Sequence, residues 1–229
     1  MASDAASGLA RDLARHFPRQ AETLAGLAAA AGVPRAWLVD LLERETAAAE
    51  AALAVAAAGA RLGRVLAGEW ILRRCRPEGG FASIEVARPW LAHALLGVNE
   101  HGLAAAVLCG GAAGATLPSA PLVQDCLQRF ATLDACLDWC TGRPGERPAT
   151  LLLADASGEI AGVELGPGLR RVRRPAEGLL AVGGTHELRD AAAKTLRDGG
   201  GLEAAPPALF AWADTAARSL RLRGELHAV

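Results

Sequence analysis

The sequence predicts an α+β fold in which antiparallel hairpin sheets are covered on their outer faces by helices. Three observations predict it. Paired apolar runs recur around turn signals at Pro77-Glu78-Gly79-Gly80, Asn99-Glu100-His101-Gly102 and Asp155-Ala156-Ser157-Gly158, and Asn and Gly accept the left-handed backbone that tight hairpins need. The runs flanking residues 99–102 are continuously apolar, which fits a sheet covered on both faces. Segments of helical period lie before, between and after the hairpins. Two layer schemes satisfy this order, a four-layer αββα sandwich and a two-layer α+β fold.

Residues 1–45 read as helix. "RQAETLAGLAAAAG" is an Ala/Leu helix that stops at Gly32, suited to a left-handed cap. Val33-Pro34 restarts the chain into the amphipathic "RAWLVDLLERE". "ALAVAAAGARLGRVLAG", broken at Gly59 and Gly63, reads as two short strands. "EWILRRCRPEGGFASIEVARP" is a hairpin that puts Ala82, Ile84 and Val86 on one face and Ser83 and Glu85 on the other. "WLAHALLGVNEHGLAAAVL" is a second hairpin. "SAPLVQDCLQRFATLDACLDWC" returns to helix, with Leu122, Cys126, Leu127 and Phe130 along one face. Thr132 is placed to cap a further helix carrying Leu133, Cys136, Leu137 and Cys140. "ATLLLADASGEIAGVEL" is another hairpin, followed by strands at "RRVRRP" and "GLLAVGG" and helices over roughly 186–197 and 207–223. The closing "ELHAV" reads as a strand just begun, an incomplete C-terminal hairpin. The organisation is one domain over 1–229, with a helical part at 1–45 and a sandwich over 50–229.

Composition narrows function by exclusion. With 229 residues, 52% of them hydrophobic, the chain can bury a sizeable core. A formal net charge of −1 gives no bulk field for nucleic acid or an anionic membrane, and neither is expected as a partner. No apolar stretch reaches the roughly 18–20 residues of a membrane span, and the charged N-terminus "MASDAASGLARDLARHF" lacks the apolar run of a secretory signal. The expected location is the cytoplasm. The five cysteines are widely spaced and several sit among apolar residues, as reduced core thiols do. Cys136 and Cys140 have helical i, i+4 spacing, but no His or third Cys lies near them in sequence, so no metal or other cofactor is expected.

Each chemically interesting residue has a plain reading beside it. Glu100 and His101 sit in a hairpin turn and read as exposed turn residues. His93 reads as a satisfied buried imidazole in an apolar strand. "CGGAAGA", from Cys109, lacks the spacing and the Lys of a phosphate loop. Arg171 and Arg173 fall on one face of a basic strand, whose charge suits a solvated sheet edge. In "GGTHEL" a strand ends and a helix begins. The backbone N–H groups there suit an oxyanion, with Thr185 and His186 in the pocket region, while Thr185 as a simple N-cap explains the same residues.

Four segments in order, "LAGLAAAAGVP" (24–34), "GVNEHGLA" (97–104), "LVQDCLQRFATLDACLDW" (122–139) and "LLLADASGEIAGVEL" (151–165), carry a resemblance. From about Phe17 to Val229 the chain resembles the penicillin acyltransferase-like family of N-terminal-nucleophile hydrolases, as a degenerate or C-terminally shortened member. The resemblance implies an αββα sandwich of mainly antiparallel sheets. It implies autocleavage before an internal Cys, whose thiol attacks linear amides or transfers acyl groups, with its freed amine of pKa about 8 as base. That Cys opens the first strand, and the matching positions here are Glu50 or Ala51, neither of which supplies a thiol or hydroxyl. Thr185 stands where the family often has an Asn that helps form the oxyanion hole, His186 matches, and the family's polar R-N-x-D segment is reduced to "VLAGEW". The expected function is that of an inactive homologue binding a small amide or acyl ligand. The alternative is an active amide hydrolase or acyltransferase using Thr46 or Cys75. A second copy of the chain or another partner is expected over the C-terminal sheet edge.

Overall fold

The computed structural model describes residues 4–47, 54–57, 61–66, 69–89, 91–109, 120–143, 148–166, 168–175, 178–182, 209–214 and 217–223. Three helices come first: α1 (Asp4–His16), α2 (Pro18–Ala31) and α3 (Arg35–Ala47). Gly32 ends α2 at φ 65°, and the cap N–H donates to the carbonyls of Ala28 and Ala29, as its freedom from a Cβ allows. Twelve described strands and two more helices follow. They are β1 (Ala54–Ala57), β2 (Arg61–Leu66), β3 (Ile71–Cys75), β4 (Ser83–Ala87), β5 (Leu96–Asn99), β6 (Ala104–Cys109), α4 (Ala120–Arg129), α5 (Leu133–Thr141), β7 (Ala149–Ala154), β8 (Ile160–Gly166), β9 (Leu169–Arg173), β10 (Leu179–Val182), β11 (Leu209–Asp214) and β12 (Ser219–Arg223).

The strands form two antiparallel sheets. The seven-stranded sheet runs β3-β4-β5-β6-β7-β8-β9, and the five-stranded sheet runs β10-β1-β2-β11-β12. Alternation along the central strands divides the core in two. Ala105, Val107, Leu151, Leu153, Ala161 and Val163 face α4, α5 and the N-terminal helices, in one cluster with Leu13, Phe17, Leu24 and Leu42. Their neighbours Ala104, Ala106, Leu152, Ala154 and Ile160 face the other sheet and meet Leu62, Leu180 and Ala213. The continuously apolar hairpins are therefore buried on both faces, as their composition predicts.

Two close approaches depend on glycine. A Cβ on Gly97 would stand 2.6 Å from Leu127 Cδ1 and 3.0 Å from the Ile84 carbonyl, so Gly97 lets α4 sit directly on β5. A Cβ on Gly162 would stand 2.8 Å from Leu180 Cδ2, so Gly162 lets the two sheets meet.

The expected helix over 207–223 is corrected to the β11–β12 hairpin. Ala211 pairs with both Leu222 and Arg64, which places the hairpin against β2 as part of the sheet. The period of two was present in "SLRLR", where Leu220 and Leu222 alternate with polar neighbours. Pairing with β2 then outweighs the helix propensity of the alanines. The expected helix at 186–197 and the strand begun at 225–229 lie outside the described residues.

Candidate functional site

The register of the five-stranded sheet locates the corner to which the sequence points. Ala54, the first residue of β1, pairs with Val182, the last of β10, on one side and with Arg64 of β2 on the other. The chain thus enters β1 and leaves β10 at the same end of the sheet. Ala51 precedes Ala54 by three positions and Thr185 follows Val182 by three. Glu50, Ala51, Thr185 and His186 themselves lie outside the described residues. Strand register also sets Arg64 of β2 opposite Ala54, a juxtaposition sequence reading did not give. Only the pairing with Ala54 singles it out, because its local pattern is that of any alternating strand.

The alternative nucleophiles lie elsewhere. Thr46 belongs to the last turn of α3. Cys75 ends β3, the outer strand of the other sheet. Its half-buried thiol lies 4.0 Å from Gln128 Nε2. Burial, and then the nearby Glu85 carboxylate, push its pKa above the usual thiol value, so it holds its proton at neutral pH. Cys75 also lines a cavity of about 260 Å³ with Arg74, Arg76, Ser83, Glu100 and Arg218. Arg218 precedes Ser219, which pairs with Asp214, and Asp214 in turn pairs with Arg61, opposite Ala57. That cavity therefore lies toward the far end of β1 from Ala54.

The two motif turns are structural. Gly102, at φ 86°, closes the β5–β6 turn by donating its N–H to the Asn99 carbonyl at 2.9 Å. The buried Asn99 side chain donates to the Leu127 and Phe130 carbonyls at 3.0 and 2.7 Å, where α4 ends. Its Oδ1 accepts the His101 and Leu103 N–H groups, both at 3.0 Å. Asp155 plays the matching part in the β7–β8 turn. It accepts from the Ser157 N–H at 2.9 Å and from the Leu133 N–H, also at 2.9 Å, at the start of α5. Thr132, expected to cap α5, makes no side-chain cap bond; Asp155 does so from across the fold. The Glu100 carboxylate accepts the Ala82 N–H at 3.0 Å, and the His101 ring packs edge-on against Phe81 at 4.2 Å.

A buried polar network was not anticipated. Glu85 is fully buried and bonded to Arg73 Nε at 2.8 Å, and to Ser83 Oγ and Gln124 Nε2, both at 2.6 Å. Arg73 also donates to the Leu91 and Ala92 carbonyls. Gln20 of α2 donates to Asp125 at 2.8 Å and to Gln128 at 3.0 Å, tying the N-terminal helices to α4. Burial raises the Asp125 pKa above the usual carboxylate value against these bonds. The clue was "PLVQDCLQR", a helix with polar residues where its neighbours bury both faces.

His93 corrects its reading twice. It lies in the bend between β4 and β5, not in a strand. It is fully buried, and neither ring nitrogen has a partner among the described residues. Desolvation, with Arg73 nearby, lowers its pKa to about 3. Arg171 and Arg173 do lie on the outer strand β9, where Arg173 pairs with Glu164 at 3.0 Å. "GGAAGA" after Cys109 lies outside the described residues.

The cysteines need a further correction. A third thiol does lie beside Cys136 and Cys140: Cys126 of α4, with all three sulfurs within 4.8 Å of one another. The fold supplies across helices the neighbour that linear spacing did not.

No protein-family model and no curated protein sequence matches the chain. Among solved structures it is similar to the Caenorhabditis elegans ortholog of N-acylethanolamine-hydrolyzing acid amidase. That match has a TM-score of 0.52 and 12% identity, over 72% of this chain and 93% of the other. The fold is that of the N-terminal-nucleophile hydrolases. Weaker matches are to penicillin V acylase from Agrobacterium tumefaciens (TM-score 0.39, 19% identity) and a mutant conjugated bile acid hydrolase from Clostridium perfringens (0.46, 14%). Each is matched over 65% of this chain, which spans 58% of each of those proteins. The described residues form two stacked antiparallel sheets with helices outside the larger one.

Proposed function

We propose that the chain is a non-catalytic homologue within the N-terminal-nucleophile-hydrolase fold, binding a small amide or acyl ligand without cleaving it. The observation that carries this reading is the entry to β1, residues 47–53, "AAAEAAL", which holds no Cys, Ser or Thr. Acyl-enzyme chemistry needs a thiol or hydroxyl at the point of attack, and neither a methyl group nor the Glu50 carboxylate supplies the self-cleaving step. The placements of Thr46 in a helix and of Cys75 in the other sheet weigh against their standing in.

One structural neighbour is an N-acylethanolamine-hydrolyzing amidase ortholog, so N-acyl amides are the first ligands to test. The purified chain is incubated with a panel of N-acyl amides that includes N-acylethanolamines. The reading predicts saturable binding without turnover, the same in Thr46→Ala and Cys75→Ala. Turnover by the unmodified chain that disappears in either variant sinks it. β12 is the outer strand of the five-stranded sheet, and solution mass by size-exclusion with light scattering reads whether a second copy covers it.

A further inference from the structure

We infer that Cys126, Cys136 and Cys140 form a binding site for one soft, three-coordinate metal ion of the Cu(I) type, which staples α4 to α5. Each sulfur comes from a helix: Cys126 from α4, Cys136 and Cys140 from successive turns of α5. All three residues have zero exposure. The sulfurs lie within 4.8 Å of one another, and Cys126 Sγ is 3.5 Å from Cys140 Sγ. An ion about 2.3 Å from each thiolate sets its sulfurs about 4 Å apart, which a 3.5 Å pair and a third sulfur within 4.8 Å of both can reach by small side-chain shifts.

Two simpler roles account for less. A disulfide bond spans about 2 Å and joins two sulfurs, leaving the third beside it unexplained. Cysteines used only as small apolar side chains would pack against carbon; here three converge on one point from two helices. The choice of ion follows from what the site lacks. No His, carboxylate or fourth thiol joins the triad among the described residues, and zero exposure leaves no open face for water. Zn(II) in structural sites takes four ligands, whereas thiolates favour Cu(I) among soft ions. Binding converts thiols to thiolates and releases their protons to solvent. The triad lies on the helix side of the seven-stranded sheet, away from the β1–β10 corner, so the inference stands independently of the proposed function.

The test uses the full chain, reduced and anaerobic, titrated with Cu(I) and, in parallel, with Zn(II), each against a competing chelator. The expected result is one Cu(I) per chain with a thiolate-to-copper charge-transfer band in the ultraviolet, and weaker Zn(II) binding. Because the triad is fully buried, alkylation is done in urea sufficient to open the metal-free chain. Peptide mass spectrometry should then show copper protecting Cys126, Cys136 and Cys140 relative to the metal-free chain while Cys75 is alkylated in both. Cys126→Ala and Cys136→Ala should lose stoichiometric binding, and Cys75→Ala should keep it. Should the triad variants fail to fold, the protection pattern of the unmodified chain decides alone. Absence of stoichiometric Cu(I) binding, protection of other cysteines, or tighter binding of Zn(II) than of Cu(I) would each overturn the inference.

Discussion

Asn99 shows how a motif that looks functional can be architectural. Its amide satisfies two carbonyls at the end of α4 and two N–H groups in its own turn. Asn99→Ala strands several of these and should cost on the order of 2–4 kcal/mol in a urea melt, whatever ligand is present. His93 makes the opposite case, a buried imidazole with no described partner. Its folded pKa of about 3 lies below the ordinary histidine value of about 6.5, so only the unfolded chain takes up its proton between those values. The stability tied to a neutral His93 is complete above about pH 6.5 and falls as pH drops toward 3, by on the order of 5 kcal/mol in all. Arg73, the Glu85 partner, is the charge that adds to this shift. Chemical denaturation across that range should therefore show a shallower pH dependence in His93→Leu. An unchanged slope contradicts this assignment.

Among the elements, β5 and α4 approach closely through Gly97. Gly97→Ala places a methyl group against Leu127 and the Ile84 carbonyl and should destabilise by about 1–3 kcal/mol, although alanine suits most strands better than glycine. A variant as stable as the parent in thermal melts would mean that α4 shifts freely.

The hairpins around residues 77–80, 99–102 and 155–158 were legible because Gly and Asx turns are local signals. The β11–β12 hairpin was not, since alanines next to Trp212 suit helix and strand alike until β2 supplies pairing. The Thr132 cap failed for a related reason. A local cap is visible in sequence, whereas Asp155, 22 positions from Leu133, is brought in by the sheet. The same limit hid Cys126 from Cys140 and Glu85 from Gln124.

For the whole molecule, two antiparallel sheets share an apolar interior, with helices over the outer face of the larger one. The first strand was legible in the alanine-rich stretch: β1 forms at Ala54–Ala57, and β10 runs beside it. Arg64 became visible only through strand register. The proposed function turns on the alanine-rich entry to β1. With no thiol or hydroxyl in residues 47–53, the chain should not cut itself there. The mass of the purified, reduced protein tests this most directly. One uncut species of 23.5 kDa should persist on incubation; two fragments divided between residues 45 and 54 would contradict a non-catalytic chain.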